Sequence, residues 1–412
     1  MDKQSSVSSG VSSGAWSRRD FVAATGAAGL MAAAGPSLAQ EAAQRKIRLG
    51  VIGCGGRGRW IAGLFKKHGG YEICAIGDYF EDRVKAAADE HGVPQERRFT
   101  GLDCHKRVLD TKPDALAIIT PPYFHPQQMA DAVDAGAHVY LAKPLAVDVP
   151  GCQSIEASGK RAAQKKLCVL ADFQTRAMPF YQEAISRVHQ GALGDIAFGE
   201  AYYHTDRIGT QMKPGTPEAR LRNWVFDKAL SGDIITEQNI HTLDVMSWVF
   251  RTPPLHAFGT GGRKSRLDVG DCWDHFTLHF QYPNNVGVTF SSRQFDGFGA
   301  QPDGIVVRVF GSKGVLETSY GGNVMIRGKD DSFYRGGKTD NIYNDGAMNN
   351  IAAFYDSIVK GDVSSPTLAP GLQSNLITIM GRKAAYTGKL VTWDETIKDT
   401  ERLDGKLDGL KI

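Results

Sequence analysis

The six cysteines, Cys54, Cys74, Cys104, Cys152, Cys168 and Cys272, contain no C-x-x-C pair and no Cys/His ligand cluster. That excludes a zinc module and a thioredoxin-like dithiol, and no metal site is expected. Nor does their scatter suggest a disulfide framework; Cys74 and Cys168 lie in apolar runs and read as buried thiols. Lysine and arginine form no run and the net charge is only +3, so nucleic acid and anionic membrane are not expected partners. No apolar stretch suits a stable membrane span or anchor. Internal repeats and low-complexity segments are absent beyond the first forty residues. What remains is the composition of an ordinary globular protein, with 412 residues, enough for two domains.

Those first forty residues read as a leader. A Ser/Gly-rich tract, Ser5 to Ser13, precedes Ser17-Arg18-Arg19-Asp20-Phe21-Val22. A weakly apolar Ala/Gly stretch and Ser37-Leu38-Ala39 follow. The order resembles a twin-arginine export signal at 1–39, cleaved near Ala39, which implies the export machinery as a partner and a periplasmic or otherwise exported location.

From Lys46 onward, apolar strand-like runs alternate with helical periodicity, the mark of a parallel sheet. Strands are expected at Ile47–Ile52, Ile73–Gly77, Ala115–Thr120, His138–Leu141 and Leu167–Asp172. The first ends in Ile52-Gly53-Cys54-Gly55-Gly56-Arg57-Gly58 and opens a helix. This is the strand, G-x-G-x-x-G, helix context of a dinucleotide site, where bare backbone and helix amides face a pyrophosphate. Asp78 follows at the end of the second strand. A carboxylate there accepts ribose hydroxyls and repels a 2′-phosphate, which favours NAD while leaving NADP possible. The fold class is therefore α/β: a Rossmann NAD(P)-binding domain at 46–172, an α+β domain with a large, mostly antiparallel open sheet at 173–390, and a C-terminal tail at 391–412. Within the second domain, one helix is expected from about Ile234 to Phe250, and hairpins at Phe276–Ser291 and Ile305–Thr318.

Three further motifs follow in order: Thr120-Pro121-Pro122-Tyr123-Phe124-His125, then Ala142-Lys143-Pro144, then Glu237-Gln238-Asn239-Ile240-His241. With the glycine loop, this order resembles the glucose-fructose oxidoreductase / inositol dehydrogenase / MocA (Gfo/Idh/MocA) family from about Lys46 to Tyr386. The resemblance implies an NAD(P)-dependent oxidoreductase. Lys143 falls on the lysine of its Glu-Lys-Pro motif, His241 and Glu237 on the ends of its Asp-x-x-x-His motif, and His125 on its Thr-Pro-Asn-x-x-His loop. Ala142, Pro122, Glu237 and Asn239 depart from the usual residues. The resemblance also implies a homo-oligomer, dimer or tetramer.

The chemistry agrees with those positions. Oxidising a secondary alcohol needs a base, and a lysine desolvated beside a cationic ring has its pKa lowered toward the working range. Glu237 and His241 are four apart, so on one helix they would share a face; Lys143, His241 and Glu237 are the expected catalytic residues. Gly53, Gly55, Gly56, Arg57, Gly58, Asp78, Thr120, Pro121, His125 and Lys143 are expected around the cofactor. Gln174, Arg176, Tyr202, Arg222, Trp224 and Asp244 are expected around a carbohydrate-like substrate, with Asp244 orienting His241 or packing behind it. The leading expectation is an exported oxidoreductase for a sugar, cyclitol or derivative, with a tightly bound cofactor. An NAD-dependent glycoside hydrolase working by transient oxidation and elimination, and a non-catalytic sugar-binding protein, are the alternatives.

Overall fold

The computed structural model describes residues 46–412, and the leader expected at 1–39 lies outside them. Six strands, β1 (Ile47–Ile52), β2 (Tyr71–Asp78), β3 (Arg98–Thr100), β4 (Ala115–Ile118), β5 (His138–Ala142) and β6 (Val169–Asp172), form a parallel sheet in the order β3-β2-β1-β4-β5-β6. The order reverses between β1 and β4, the switch point where a crevice opens at the strands' carboxyl ends. The strands read as continuous apolar runs because both faces are covered. Leu116, Ile118, Val139 and Leu141 enter one core and Ala115, Ala117 and Tyr140 the other.

Neither core is closed by residues 46–172 alone. Ala347, Ile351 and Phe354 of the helix Ile342–Lys360 fill one, where Tyr71 also donates its hydroxyl to the Ile351 carbonyl at 3.0 Å. Leu368, Leu372 and Ile379 of the helix Leu368–Thr387 fill the other. The segment after residue 172 thus supplies two helices of the first layer as well as the second sheet.

That sheet has nine strands: β7 (Ile196–Thr205), β8 (His256–Gly262), β9 (His275–Tyr282), β10 (Val286–Gln294), β11 (Gly304–Gly311), β12 (Gly314–Ser319), β13 (Asn323–Gly328), β14 (Tyr334–Lys338) and β15 (Val391–Thr392). Their order is β14-β13-β12-β11-β7-β10-β9-β8-β15, antiparallel throughout except for the β7–β10 pair. Asn284 and Asn285 both take positive φ, 61° and 59°, in the three-residue turn Pro283–Asn285 between β9 and β10. One face packs on the helices; the other leaves Phe198 and Phe258 about half exposed.

The stretch 391–412, expected as a tail, first adds β15 to this sheet and then returns to the first domain. Asp148 accepts the Leu403 N–H at 2.9 Å, and Arg220 donates to the carbonyls of Gly405 and Lys406. The Lys411 carbonyl accepts the Leu102 N–H at 3.0 Å, while its own N–H reaches the Tyr79 hydroxyl. Leu410 is buried with Phe80, Leu221 and Leu230, against Trp224 and Leu407.

The helix Leu368–Thr387 also fixes the chain around Lys143 and Glu237. Asn375 accepts from the Leu145 and Ala146 N–H groups at 2.8 and 3.2 Å and donates to the Ala146 carbonyl at 3.0 Å. One turn on, the Thr378 hydroxyl bonds Thr236 at 3.0 Å; another turn on, Arg382 donates to the carbonyls of Gly232 and Val147 at 2.6 and 2.8 Å.

Candidate functional site

The glycines of the loop after β1 divide into two kinds. Gly53 has φ +82°, and a Cβ there would lie 2.5 Å from the Ile119 backbone; a Cβ on Gly58 would lie 1.7 Å from the Gly53 carbonyl oxygen. These two permit the turn and the close packing of the helix Gly56–His68. A Cβ on Gly56 would meet nothing within 4 Å, and one on Gly55 only the Arg83 guanidinium at 3.6 Å. Bare backbone and a helix N-terminus therefore face an open cleft, the arrangement that fits a pyrophosphate. Thr120, Pro121, Ala142, Lys143 and Glu237 line the same cleft.

Asp78 ends β2 at the cleft wall. Its two oxygens accept the N–H of Cys54 at 2.6 Å and of Phe80 at 2.9 Å, so it shapes the glycine loop while keeping lone pairs for a ribose. Burial pushes its pKa up, against the pull of those two donors and Arg83. Phe80 is flanked by two guanidinium groups, Arg83 at 4.9 Å and Arg222 at 3.9 Å from its ring. Arg222 also grips Asp82 with both Nη atoms, at 2.9 and 2.6 Å. Trp224 lines the cleft and packs in the Phe80 cluster. Arg222 and Trp224, expected at the substrate, stand instead with Phe80 and Asp78.

At the other end, the Lys143 ammonium donates to the Glu237 carbonyl at 2.7 Å and to its carboxylate at 3.1 Å. The continuous helix expected over Ile234–Phe250 is broken into Ile234–Glu237 and Ile240–Phe250. At the break the Asn239 N–H reaches back to Ile234, and the His241 N–H turns to Gln238 at 3.3 Å. In an unbroken helix that His241 N–H would occupy the Glu237 carbonyl; the break frees this oxygen for Lys143. Burial lowers the Lys143 pKa, Glu237 pulls it back up, and Arg57 lowers it again.

His241 is buried, and burial holds its pKa well below the usual value, with the charges of Lys143 and Arg57 pushing the same way. It is therefore a neutral imidazole. Its Nδ1 is sealed without a partner among the described residues, which leaves Nε2 for chemistry. The ring lies 4.5 Å from that of Tyr320, whose hydroxyl donates to Gln174 at 3.1 Å. Gln174 is buried and acts on the site through Tyr320. Tyr343 lies 5.3 Å from Tyr320 and adds a third ring.

Four expected site residues lie elsewhere. Tyr202 stacks on His204 at 5.1 Å, near Arg308, on the uncovered sheet face. Its neighbour Tyr203 turns inward, where the charge of Glu237 acts on it; alternation along β7 puts the pair on opposite faces. Asp244 is fully buried and accepts two bonds from Arg176 Nε, at 3.0 and 2.9 Å, one from its Nη2 and one from Ser374, so its carboxylate is engaged by Arg176 and Ser374 rather than by His241. Arg176, 5.0 Å from the Trp248 ring, lines a separate cavity. His125 is fully buried, its Nε2 bonded to the Thr120 carbonyl at 2.8 Å, and it shapes the loop rather than touching a cofactor.

Arg57 lines the cleft, but its guanidinium bonds Asp172 at the end of β6. Asp172 belongs to no motif in the sequence; its one signal is its place at the carboxyl end of a sheet strand. Tyr320 follows an ordinary hairpin strand and Tyr203 is one of a pair, so neither carries a signal in the sequence.

Two family models match the chain: "Oxidoreductase family, NAD-binding Rossmann fold" over residues 47–172, and "GFO/IDH/MocA C-terminal domain" over 181–317. Among curated relatives, the myo-inositol 2-dehydrogenase of Thermotoga maritima is 22% identical over 85% of this chain and 100% of its own. The alpha-N-acetylgalactosaminidase of Shewanella oneidensis is 30% identical over 56% of this chain and 47% of its own. The chain spans between 35% and 47% of the length of four curated relatives, that enzyme included. Among solved structures, levoglucosan dehydrogenase in complex with NADH and levoglucosan shares the fold with a TM-score of 0.67 at 17% identity, covering 84% of this chain and 99% of its own. The Caulobacter crescentus aldose-aldose oxidoreductase does so at 0.67 and 20%, covering 84% and 100%. The cleft is thus an NAD site.

Burial pushes the His125 pKa down to about 4. The unfolded chain takes up this proton below about pH 6.5 and the native state does not, so stability is complete above about pH 6.5 and falls toward pH 4. The stability gap between wild type and His125→Asn is expected to narrow by about 3 kcal/mol across that window. Denaturant titrations at several pH values measure it; a gap independent of pH refutes a histidine held neutral.

Proposed function

The chain belongs to the Gfo/Idh/MocA oxidoreductase family, and from that premise we propose that it oxidises a secondary alcohol, or reduces the matching carbonyl, of a sugar or cyclitol. One observation carries the reading: a desolvated Lys143 held by both oxygen types of Glu237 in the NAD cleft, with the neutral His241 on the following helix. The relatives named for myo-inositol and levoglucosan support this substrate class. Held by the glycine loop Gly53–Gly58, NAD would supply the two-electron acceptor or donor for this exchange. Lys143 in its neutral form takes the hydroxyl proton, and the Glu237 carboxylate stabilises the ammonium that results. His241 steadies the same oxygen through Nε2. In the reverse direction Lys143 returns the proton.

Activity in the oxidative direction rises with pH as Lys143 loses its proton, at a pH below the ordinary lysine range. Lys143→Met is expected to lower kcat by roughly 10²–10⁴-fold while NAD still binds. Glu237→Gln removes the charge that raises the Lys143 pKa, so the rising limb of kcat/KM moves to lower pH. An unmoved limb refutes Lys143 as the base.

The Arg18-Arg19 leader supports a further element: the enzyme is exported folded, with its dinucleotide already held and recycled in place. Native mass spectrometry of the protein recovered from its own compartment is expected to show one dinucleotide per chain. Recovery without dinucleotide, together with a need for added NAD at every turnover, contradicts retention.

The partial similarity to an alpha-N-acetylgalactosaminidase favours a second reading, in which transient oxidation acidifies a C–H and a glycosidic bond leaves by elimination. Release of nitrophenol from a nitrophenyl glycoside with no accumulated NADH would favour it. NADH accumulating with free polyol, and no nitrophenol released, would eliminate it.

A further inference from the structure

Arg57 lies in the glycine loop, yet its guanidinium does not follow the bare backbone of Gly55 and Gly56. It crosses the carboxyl ends of the strands to Asp172, the last residue of β6. Asp172 has no exposed surface, and its second oxygen accepts from the Asn350 amide at 2.8 Å. The carboxylate is therefore unavailable to a ligand and holds Arg57 in one orientation, since charge-assisted bonds to a buried acceptor fix geometry strongly.

The rest of the guanidinium is differently placed. About one third of the Arg57 side chain is exposed, at 31%, in the cleft that Lys143 and Glu237 also line. Its Nε is shut in without a partner among the described residues, and the Trp60 ring lies 5.5 Å away. Its charge acts on Lys143, His241, Tyr320 and Tyr343, the groups around the catalytic end. A fixed guanidinium with donors to spare matches a pair of oxygen acceptors, either adjacent hydroxyls or a carboxylate.

We infer that Arg57, locked by Asp172 and Asn350, is a substrate-binding residue that donates to an oxygen pair on the sugar or cyclitol. The inference rests on the proposed oxidoreductase reading, and its test separates the two. Wild type, Arg57→Lys and Arg57→Leu are assayed with NAD and myo-inositol, levoglucosan and D-glucuronate. Binding of NAD to protein first stripped of its dinucleotide, and of each probe to the NAD-loaded protein, is measured in parallel by calorimetry.

Lysine keeps the charge and loses the fork. Arg57→Lys is therefore expected to raise KM and the probe Kd about tenfold, with NAD affinity unchanged and kcat within a few-fold. Arg57→Leu is expected to do the same and also to move the rising pH limb upward, because a cation near Lys143 is gone; Arg57→Lys leaves that limb in place. A larger penalty on glucuronate than on inositol identifies a carboxylate partner, and equal penalties identify hydroxyls. Weakened NAD with unchanged probe binding assigns Arg57 to the cofactor phosphates and overturns the inference. Unchanged binding of both overturns it as well. If wild type binds a probe but reduces no NAD, the oxidoreductase reading fails, and the calorimetric comparison still decides Arg57.

Discussion

One face of the helix Leu368–Thr387 holds together chain segments that are far apart in sequence. Asn375 satisfies three backbone groups just after Lys143, and Arg382 bridges that loop to Gly232. Thr378 bonds the short helix that ends in Glu237, and Ser374 bonds Asp244 in the next. A buried polar group left unpaired costs about 1–3 kcal/mol, and a whole domain is stable by only about 5–15 kcal/mol. Loss of Asn375 would leave three such groups unpaired, and it would do so beside Lys143. The Lys143–Glu237 contact spans 94 positions in sequence and follows from this clamp.

Electrostatics at the site serves chemistry more than stability. Burying a lysine with a glutamate, or an arginine with an aspartate, returns little net free energy once desolvation is counted. What these pairs do is fix charge in a small volume. Lys143 is brought down toward a range where it can cycle a proton, and His241 stays uncharged beside two cations. Tyr320, tied to Gln174, packs its ring against the imidazole.

The Rossmann half was readable because its signals are local: apolar runs of strand length, a glycine loop at the end of the first, and an acid at the end of the second. Lys143, Glu237 and His241 were found through motif order, and the structure brings Lys143 onto Glu237. The misplacements have physical causes. Tyr202 and Tyr203 differ by one position in a period of two, which no composition resolves. Arg176 and Asp244 satisfy each other across 68 positions, and pairing at that distance leaves no trace in a single sequence. The helix break at Gln238-Asn239 lies within a stretch that reads as helical throughout, and β8 was invisible because three of its seven residues are glycine.

The return of residues 403–412 to the first domain joins positions as distant as Tyr79 and Lys411, 332 apart. The rim of the cleft beside Tyr79 and Phe80 is thus made in part by residues that reach it only after passing through the second sheet. The two halves are not interchangeable cassettes: recombining the substrate half with a relative's would bring a foreign rim to the cofactor groove. The last residues of the chain thus tie the half that follows the second sheet to the wall of the cofactor groove.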